Sequence, residues 1–273
     1  MRVNPRRLLG TVGLALHRLG RLARPADRSL RILYYHSISD DPIRSTVSPP
    51  EFAAQMDHLV RAGYRPLSLS DAVALLMSGA SLSPRSITVT LDDGFRDNYE
   101  AALPVLARLG IPATVFLTVG YIGTESLPTL TRTDFVPRPL SWEQVREMRG
   151  RGIEFGSHTM THPMLSRIPA EDARREIADA KRRMEEMLGE PVSLFCYPRG
   201  DHDDAVRGLV REAGHAAACT TAPGVNGPEA DRWALRRTYV SRRDTLGEFA
   251  KKVAGGYDLI QQTALWWHRL RRA

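Results

Sequence analysis

Short runs of β-branched and aromatic residues alternate with longer segments of helical periodicity between positions 31 and 256. This alternation is typical of β/α units that build a parallel sheet. Seven strands are predicted, at residues 31–38, 86–91, 112–119, 153–157, 192–197, 215–220 and 234–240. Seven helices are also predicted, at residues 49–62, 70–78, 98–109, 141–150, 169–188, 203–213 and 245–254.

Repeated right-handed crossovers curl such a sheet into a barrel, so the predicted fold class is α/β, an irregular barrel of the (β/α)7 type. Seven strands instead of eight leave the barrel irregular or open at one side. The predicted domain spans residues 31–256, with an arm at 1–30 and a tail at 257–273 outside it. Catalytic residues of such barrels collect at the carboxyl ends of the strands.

Composition and charge narrow the classes of function. The chain has 273 residues, 42% hydrophobic and 25% charged, as in ordinary globular domains. No run reaches the ~18 apolar residues of a membrane-spanning helix. The formal net charge is +7, but residues 1–31 carry +7 and residues 258–273 carry +2, which leaves −2 for the body between them. A nucleic-acid partner is therefore not expected, because the body lacks a basic footprint.

The two basic ends favour contact with an anionic membrane surface. Residues 1–24 place apolar side chains at spacings of three and four among arginines, a pattern typical of an interfacial helix. A cleaved signal peptide is the alternative, but further arginines follow the apolar run without a small-residue cleavage site. The aromatic and basic tail is predicted either to dock on lipid or to cover the barrel. We expect a location peripheral to the cell membrane, on a face that the sequence does not specify.

Two adjacent carboxylates, Asp92 and Asp93, follow the predicted strand 86–91 and precede Gly94. Adjacent residues of a strand point in opposite directions, so one carboxylate can bind a metal ion while the other faces a substrate. A simple Asp-Gly turn is the alternative interpretation.

Two histidines, His158 and His162, follow the predicted strand 153–157. Neutral imidazole is a preferred zinc ligand, and one turn of chain lets both rings face one ion. An aspartate and two histidines from two strand ends make a three-ligand set with an open position, which is the arrangement of a catalytic metal site.

The predicted strand 192–197 ends in the turn sequence Tyr197-Pro198-Arg199-Gly200. The proline fixes the turn and leaves the N–H of Arg199 free to point into the barrel mouth, the alternative being a purely structural turn. The two cysteines, Cys196 and Cys219, are too few for a disulfide framework. They are expected to be reduced inside strands, or bridged if those strands are neighbours.

Three motifs in this order, TLDDG (90–94), HTMTH (158–162) and FCYPRG (195–200), resemble those of the polysaccharide deacetylase family with a NodB-type domain. Segments 33–36, 48–73 and 141–158 are similar to family members as well, so the resemblance covers about residues 31–256. It implies a NodB-like deacetylase barrel. It also implies a hydrolase that removes N-acetyl groups from an N-acetylhexosamine-containing polysaccharide or oligosaccharide.

The resemblance also assigns roles within the predicted site. Asp92 would be the general base, while Asp93, His158 and His162 would bind a divalent cation. Zn²⁺ is the expected cation, with Co²⁺, Ni²⁺ or Mn²⁺ as alternatives. The backbone N–H of Arg199 would stabilise the oxyanion of the tetrahedral intermediate.

Two further aromatic residues are candidates for substrate binding. Tyr197 ends the predicted strand 192–197, and Trp142 follows Ser141 at a predicted helix start. Trp142 alternatively belongs to the core or to the wall of a groove.

The chain departs from the usual family pattern at two positions. The third motif often carries an arginine two residues before its proline, but Cys196 stands there, so Arg237 becomes the candidate that orients the base. The late Leu-x-His acid of the family has no counterpart, because only His268 follows the predicted strand 234–240. His36 is the candidate acid in its protonated form, or else a histidine that shapes the pocket floor.

Two other functions remain alternatives: an amide hydrolase for a small non-sugar substrate, and a catalytically inactive glycan-binding module. The native oligomer is not predicted. The charged residues of the predicted helix 169–188 are interpreted as a solvated face without function: Glu171, Arg174, Arg175, Glu176, Lys181, Arg182, Arg183, Glu185 and Glu186.

Overall fold

The computed structural model describes residues 29–80, 82–128, 130 and 136–258. The predicted arm and tail lie almost entirely outside these residues. The described chain forms eight parallel strands: β1 (Arg31–Tyr35), β2 (Arg65–Pro66), β3 (Ser86–Leu91), β4 (Ala113–Leu117), β5 (Ile153–Ser157), β6 (Leu194–Cys196), β7 (Ala217–Cys219) and β8 (Thr238–Tyr239).

The strands form one sheet in the order β7-β6-β5-β4-β3-β1-β8, with β2 paired to the amino end of β3. A parallel bridge between Cys219 and Leu235 joins β7 to the segment that enters β8, so the sheet curls back on itself. The predicted irregular α/β barrel is confirmed. Strand β2 was not predicted, because two residues give no periodicity. Cys196 and Cys219 are register partners on β6 and β7, and both are free thiols.

Within the described residues, seven α-helices surround the sheet: α1 (Pro49–Arg61), α2 (Leu69–Met77), α3 (Leu103–Leu109), α4 (Trp142–Gly150), α5 (Ala170–Leu188), α6 (Asp204–Glu212) and α7 (Leu246–Val253). The start of α4 is fixed by a capping box between Ser141 and Gln144. The predicted helix 98–109 opens as a π-helical turn, Asn98–Ala102, before α3. The predicted strands 215–220 and 234–240 are shorter than expected, with three and two residues.

The barrel interior changes character along its axis. Ile32, Phe116 and Leu194 from three strands form one apolar cluster with Leu69 and Leu76 of α2. Closer to the carboxyl ends of the strands, the interior instead holds buried polar side chains. Asp92 and Asp93 directly follow β3 and His158 directly follows β5, so buried groups able to do chemistry collect at the carboxyl ends of these strands.

The two ends of the described chain meet at the amino end of the strands. Arg31, the first residue of β1, forms a buried ion pair with Asp258, with 2.6 Å between Nη2 and Oδ2. Within the described residues, no helix combines the length and the apolar character needed to span a membrane.

Candidate active site

Asp92 and Asp93 lie at the carboxyl end of β3, and the backbone separates their side chains. The N–H of Asp92 donates to the carbonyl of Tyr35, which continues the strand pairing for one more residue. Asp93 then adopts a left-handed φ of +77°, an uncommon conformation for a residue other than glycine. The turn directs Asp92 towards Arg237 and Asp93 towards His158 and His162.

Arg237 is fully buried and pairs with Asp92 through two parallel hydrogen bonds. Both Nη1–Oδ1 and Nη2–Oδ2 distances are 2.7 Å. The guanidinium also donates to the carbonyl of Thr220 and to the hydroxyl of Thr90, and its carbon lies 4.3 Å from the ring centre of Tyr34. The structure therefore places Arg237, a residue chosen from sequence because the usual arginine is missing, directly against Asp92.

This ion pair sets the charge of Asp92. Burial on its own raises the pKa of the carboxyl. The charge and hydrogen bonds of Arg237 lower this pKa by more than burial raises it, so the net pKa is about 2. Asp92 is thus an ionised carboxylate at neutral pH. Each carboxylate oxygen retains a lone pair beyond those used by Arg237, so Asp92 is able to accept a further hydrogen bond.

Asp93, His158 and His162 form a second buried group beside this pair. The Oδ1 atom of Asp93 lies 3.5 Å from the Nε2 atom of each histidine. One potential ligand atom from each of the three residues lies within 4.8 Å of the others. Among the described residues, that Asp93 oxygen has no hydrogen-bond partner although it is buried. Three converging donors with an unsatisfied oxygen fit a divalent cation.

The protonation states of the two histidines suit this role. Nδ1 of His158 lies 2.7 Å from the carbonyl oxygen of Cys196, which accepts its proton and leaves the Nε2 lone pair directed to Asp93. Burial lowers the pKa of His158 to about 4 and that of His162 to about 3, so both rings are neutral ligands at pH 7. Burial and the charge of Asp92 raise the pKa of Asp93.

Asp92, His158 and Cys196 also lie close enough to form a ligand set, but the charge distribution argues against it. Both oxygens of Asp92 already accept from Arg237, and Nη2 of that arginine is 3.0 Å from the Cys196 sulfur. Burial raises the pKa of the Cys196 thiol, which keeps it protonated. A cation at this position would meet a guanidinium and a thiol instead of a thiolate.

Arg199 follows β6 in a turn that is tightly fixed. Its φ is +57°, and its carbonyl accepts a hydrogen bond from the Thr221 hydroxyl at 3.2 Å. A Cβ on the next residue, Gly200, would lie 2.2 Å from the Thr221 oxygen, so this close approach requires glycine. The N–H of Arg199 makes no hydrogen bond to any of the described residues, which leaves it available to an oxyanion.

His36 follows β1, and its surroundings hold it in place. The His36 carbonyl accepts a hydrogen bond from Asn98 at 2.9 Å, and the carboxylate of Asp97 accepts from the Ser37 hydroxyl at 2.6 Å. Asn98 and Asp97 support the candidate site in a way that the sequence motifs did not indicate. Burial lowers the pKa of the half-buried His36 imidazole, which disfavours the protonated form that an acid requires.

The two candidate substrate-binding aromatics have different surroundings. Tyr197 is fully buried, and its hydroxyl donates to the Trp233 carbonyl, so the prediction that its ring contacts substrate is wrong. Since side chains alternate along a strand, Cys196 faces Asp92 while Tyr197 packs on the outer side. Trp142 is half-buried and packs against the main core.

Comparison with known proteins agrees with these motifs. The sequence model of the polysaccharide deacetylase family matches residues 79–218. The Bacillus subtilis protein YxkH, named provisionally as a polysaccharide deacetylase, is 32% identical over 213 residues, which are 78% of this chain and 71% of that protein.

Two further matches extend the comparison. A poly-β-1,6-N-acetyl-D-glucosamine N-deacetylase of Staphylococcus aureus is 25% identical over 191 residues, 67% of this chain and 63% of that protein. The solved structure of IcaB from Ammonifex degensii superimposes with a TM-score of 0.73 at 25% identity, and the match covers 84% of this chain and 98% of that chain.

Proposed function

The chain belongs to the polysaccharide deacetylase family, whose members hydrolyse amide bonds, and on this premise we propose that it removes N-acetyl groups from N-acetylhexosamine units of a polysaccharide or oligosaccharide. The observation that carries the proposal is an ionised Asp92, fixed by Arg237, beside the converging ligand atoms of Asp93, His158 and His162. This combination provides a base and a cation site at the carboxyl end of the same barrel.

Asp93, His158 and His162 would hold the cation, with Zn²⁺ as the first choice and Co²⁺, Ni²⁺ or Mn²⁺ as alternatives. A divalent cation bound there would polarise the acetamide carbonyl and make the attacking water more acidic. The lowered pKa values of the two imidazoles keep both rings neutral, so at neutral pH protons do not compete with the cation for these two ligands.

Asp92 takes the proton of the attacking water. The bidentate contact with Arg237 fixes the carboxylate plane, and the lowered pKa keeps the carboxylate ionised before the reaction. A carboxylate this acidic is a weak base, so proton transfer depends on a strongly acidified water. The attack on the acetyl carbon turns the carbonyl oxygen into an oxyanion, which accepts a hydrogen bond from the N–H of Arg199.

The departing sugar amine needs a proton, and His36 is the residue proposed to deliver it. Its lowered pKa disfavours the protonated ring, so His36 would have to take up a proton before passing it to the amine. Replacing His36 with alanine is expected to lower kcat by about 10²-fold, the lower range for loss of one acid or base. Metal analysis of the same variant should show an unchanged content. A kcat close to that of the wild type would remove His36 from the mechanism and leave it a role in shaping the pocket.

Substrate choice separates the proposed function from its alternatives. The named activity of the Staphylococcus aureus relative makes β-1,6-linked N-acetylglucosamine oligomers the first substrate to test. Acetate release should be measured from these oligomers, from chitin oligomers and from small non-sugar acetamides. Release from a glycan supports the proposal, and release from the small amides alone supports the non-sugar hydrolase. Metal binding without acetate from any substrate would support the inactive glycan-binding module.

A further inference from the structure

The loop that carries both histidines has an unusual backbone. Thr159 and His162 have φ values of +67° and +64°, although neither is glycine. Left-handed conformations are sparsely populated by such residues, above all by β-branched threonine, and persist where the surroundings enforce them. One constraint is internal, because the His162 N–H donates to the Thr159 hydroxyl oxygen at 2.9 Å. The remaining constraints come from other parts of the chain.

Glu176 of α5 binds the crest of this loop through three hydrogen bonds. Its Oε2 atom accepts the N–H of Met160 at 2.9 Å and the N–H of Thr161 at 2.8 Å. Its Oε1 atom accepts the Thr161 hydroxyl at 2.6 Å. One carboxylate therefore satisfies two consecutive backbone donors and a side-chain donor between the two histidines.

The opposite side of the loop is held by backbone. The N–H groups of Val119 and Gly120 donate to the carbonyls of Thr159 and Met160, both at 2.9 Å. A Cβ on Gly120 would lie 2.7 Å from the Met160 oxygen, so the approach needs glycine at this position. The loop is therefore hydrogen-bonded on one side to this backbone segment and on the other side to the Glu176 carboxylate.

Glu176 differs from its neighbours on α5. Glu186 pairs with Arg182 at the i,i+4 spacing of a solvated helix face. Glu185 pairs with Lys181 at the same spacing and also accepts a hydrogen bond from the Val192 N–H. In the described part of the chain, no lysine or arginine lies within ion-pair distance of Glu176. Its carboxylate is committed to the histidine loop instead of to the charged surface.

We infer that Glu176 is a positioning residue for the metal site, which it serves by holding the loop between His158 and His162 in its left-handed conformation before a cation binds. The inference rests on the proposed metal site. It adds to that site a residue that supports the ligands through the loop and is not itself a ligand. Outer partners of this kind typically change metal affinity by about 10- to 100-fold when removed.

The test uses the full chain with Glu176→Ala, Glu176→Gln and the control Glu186→Ala. Zinc affinity is measured by competition with a chelator, and exchange of the amides of residues 159–162 is measured in metal-free protein. We expect Glu176→Ala to weaken zinc binding about 10- to 100-fold and to speed exchange of the loop amides at least as much. Glutamine retains an acceptor for the two N–H groups, so Glu176→Gln should lie between alanine and wild type. Glu186→Ala should match the wild type.

The outcomes separate this inference from the proposed function. Wild-type affinity and wild-type exchange in Glu176→Ala would overturn the positioning role. A wild-type chain that binds no zinc would contradict the proposed metal site, while amide exchange would still decide whether Glu176 holds the loop. If Glu176→Ala does not fold, the milder Glu176→Gln decides, and wild-type values for both measurements in that variant would overturn the inference.

Discussion

Asparagine at position 92 is expected to lower kcat for acetate release by about 10³-fold, within the range found when a general base is removed. The Asp92→Asn side chain has nearly the same shape, but it carries no charge and cannot take a proton from the attacking water. Its neighbour Asp93 remains, so the bound metal should be unchanged. The measurement combines initial rates of acetate release with metal analysis of the same preparation.

The same substitution also leaves the buried Arg237 without its counter-charge, so a stability effect has to be separated from a catalytic one. Asp258→Asn provides a matched control, because Asp258 forms a buried bidentate pair with Arg31 at the other end of the barrel. Breaking either pair should destabilise the fold, by about 3–5 kcal/mol where a buried charge remains uncompensated. Only Asp92→Asn should lose activity well below its unfolding temperature, and equal losses in both variants would argue against Asp92 as the base.

Methionine at position 237 is expected to reverse the pH dependence of stability that Asp92 contributes. In the wild type the folded pKa of Asp92 is about 2, below the ordinary value of ~3.9 in unfolded chains. The Asp92–Arg237 pair therefore stabilises the fold fully above pH ~4, and this contribution is lost as the pH falls towards 2. Without the guanidinium, burial alone acts on the carboxyl and raises its pKa above the unfolded value.

In Arg237→Met, folding thus favours the protonated form of Asp92. The stabilisation of the fold by this carboxyl should be present at low pH and be lost as the pH rises through the raised pKa. At pH 7 the variant should be destabilised by about 3–5 kcal/mol. The acid limb of its pH–rate profile should move to higher pH, since the base is protonated there. Unfolding midpoints from pH 3 to 7 provide the measurement, with Arg31→Met as the control. A variant whose pH–rate profile and pH–stability slope both match the wild type would show that Arg237 does not set the charge of Asp92.

The position of the candidate site residues follows from features that a sequence shows directly. Apolar runs mark the strands, and parallel strands end at the same edge, so the carboxylates after β3 and the histidines after β5 were expected to meet. Arg237 was found by the absence of an arginine before Pro198. Its contact with Asp92 depends on the strand order, in which only β1 separates β8 from β3.

Other features could not be predicted for physical reasons. Glu176 has the same charge and helical spacing as the solvated glutamates of α5, and only the packing of α5 against the loop after β5 distinguishes it. The burial of Tyr197 could have been predicted, because side chains alternate along a strand and Tyr197 therefore faces away from the side that Cys196 faces. The direction of Cys196 itself, however, depends on contacts with Asp92 and Arg237 from distant parts of the chain.

A zinc titration of metal-free protein tests the central claim most directly. Acetate release from N-acetylglucosamine oligomers is followed at each step together with the amount of bound zinc. Metal-dependent deacetylation at Asp93, His158 and His162 predicts that release rises in proportion to bound zinc and levels off near one ion per chain, as expected for a single catalytic site. Full activity in the metal-free protein, or no acetate from the fully loaded protein, would contradict it.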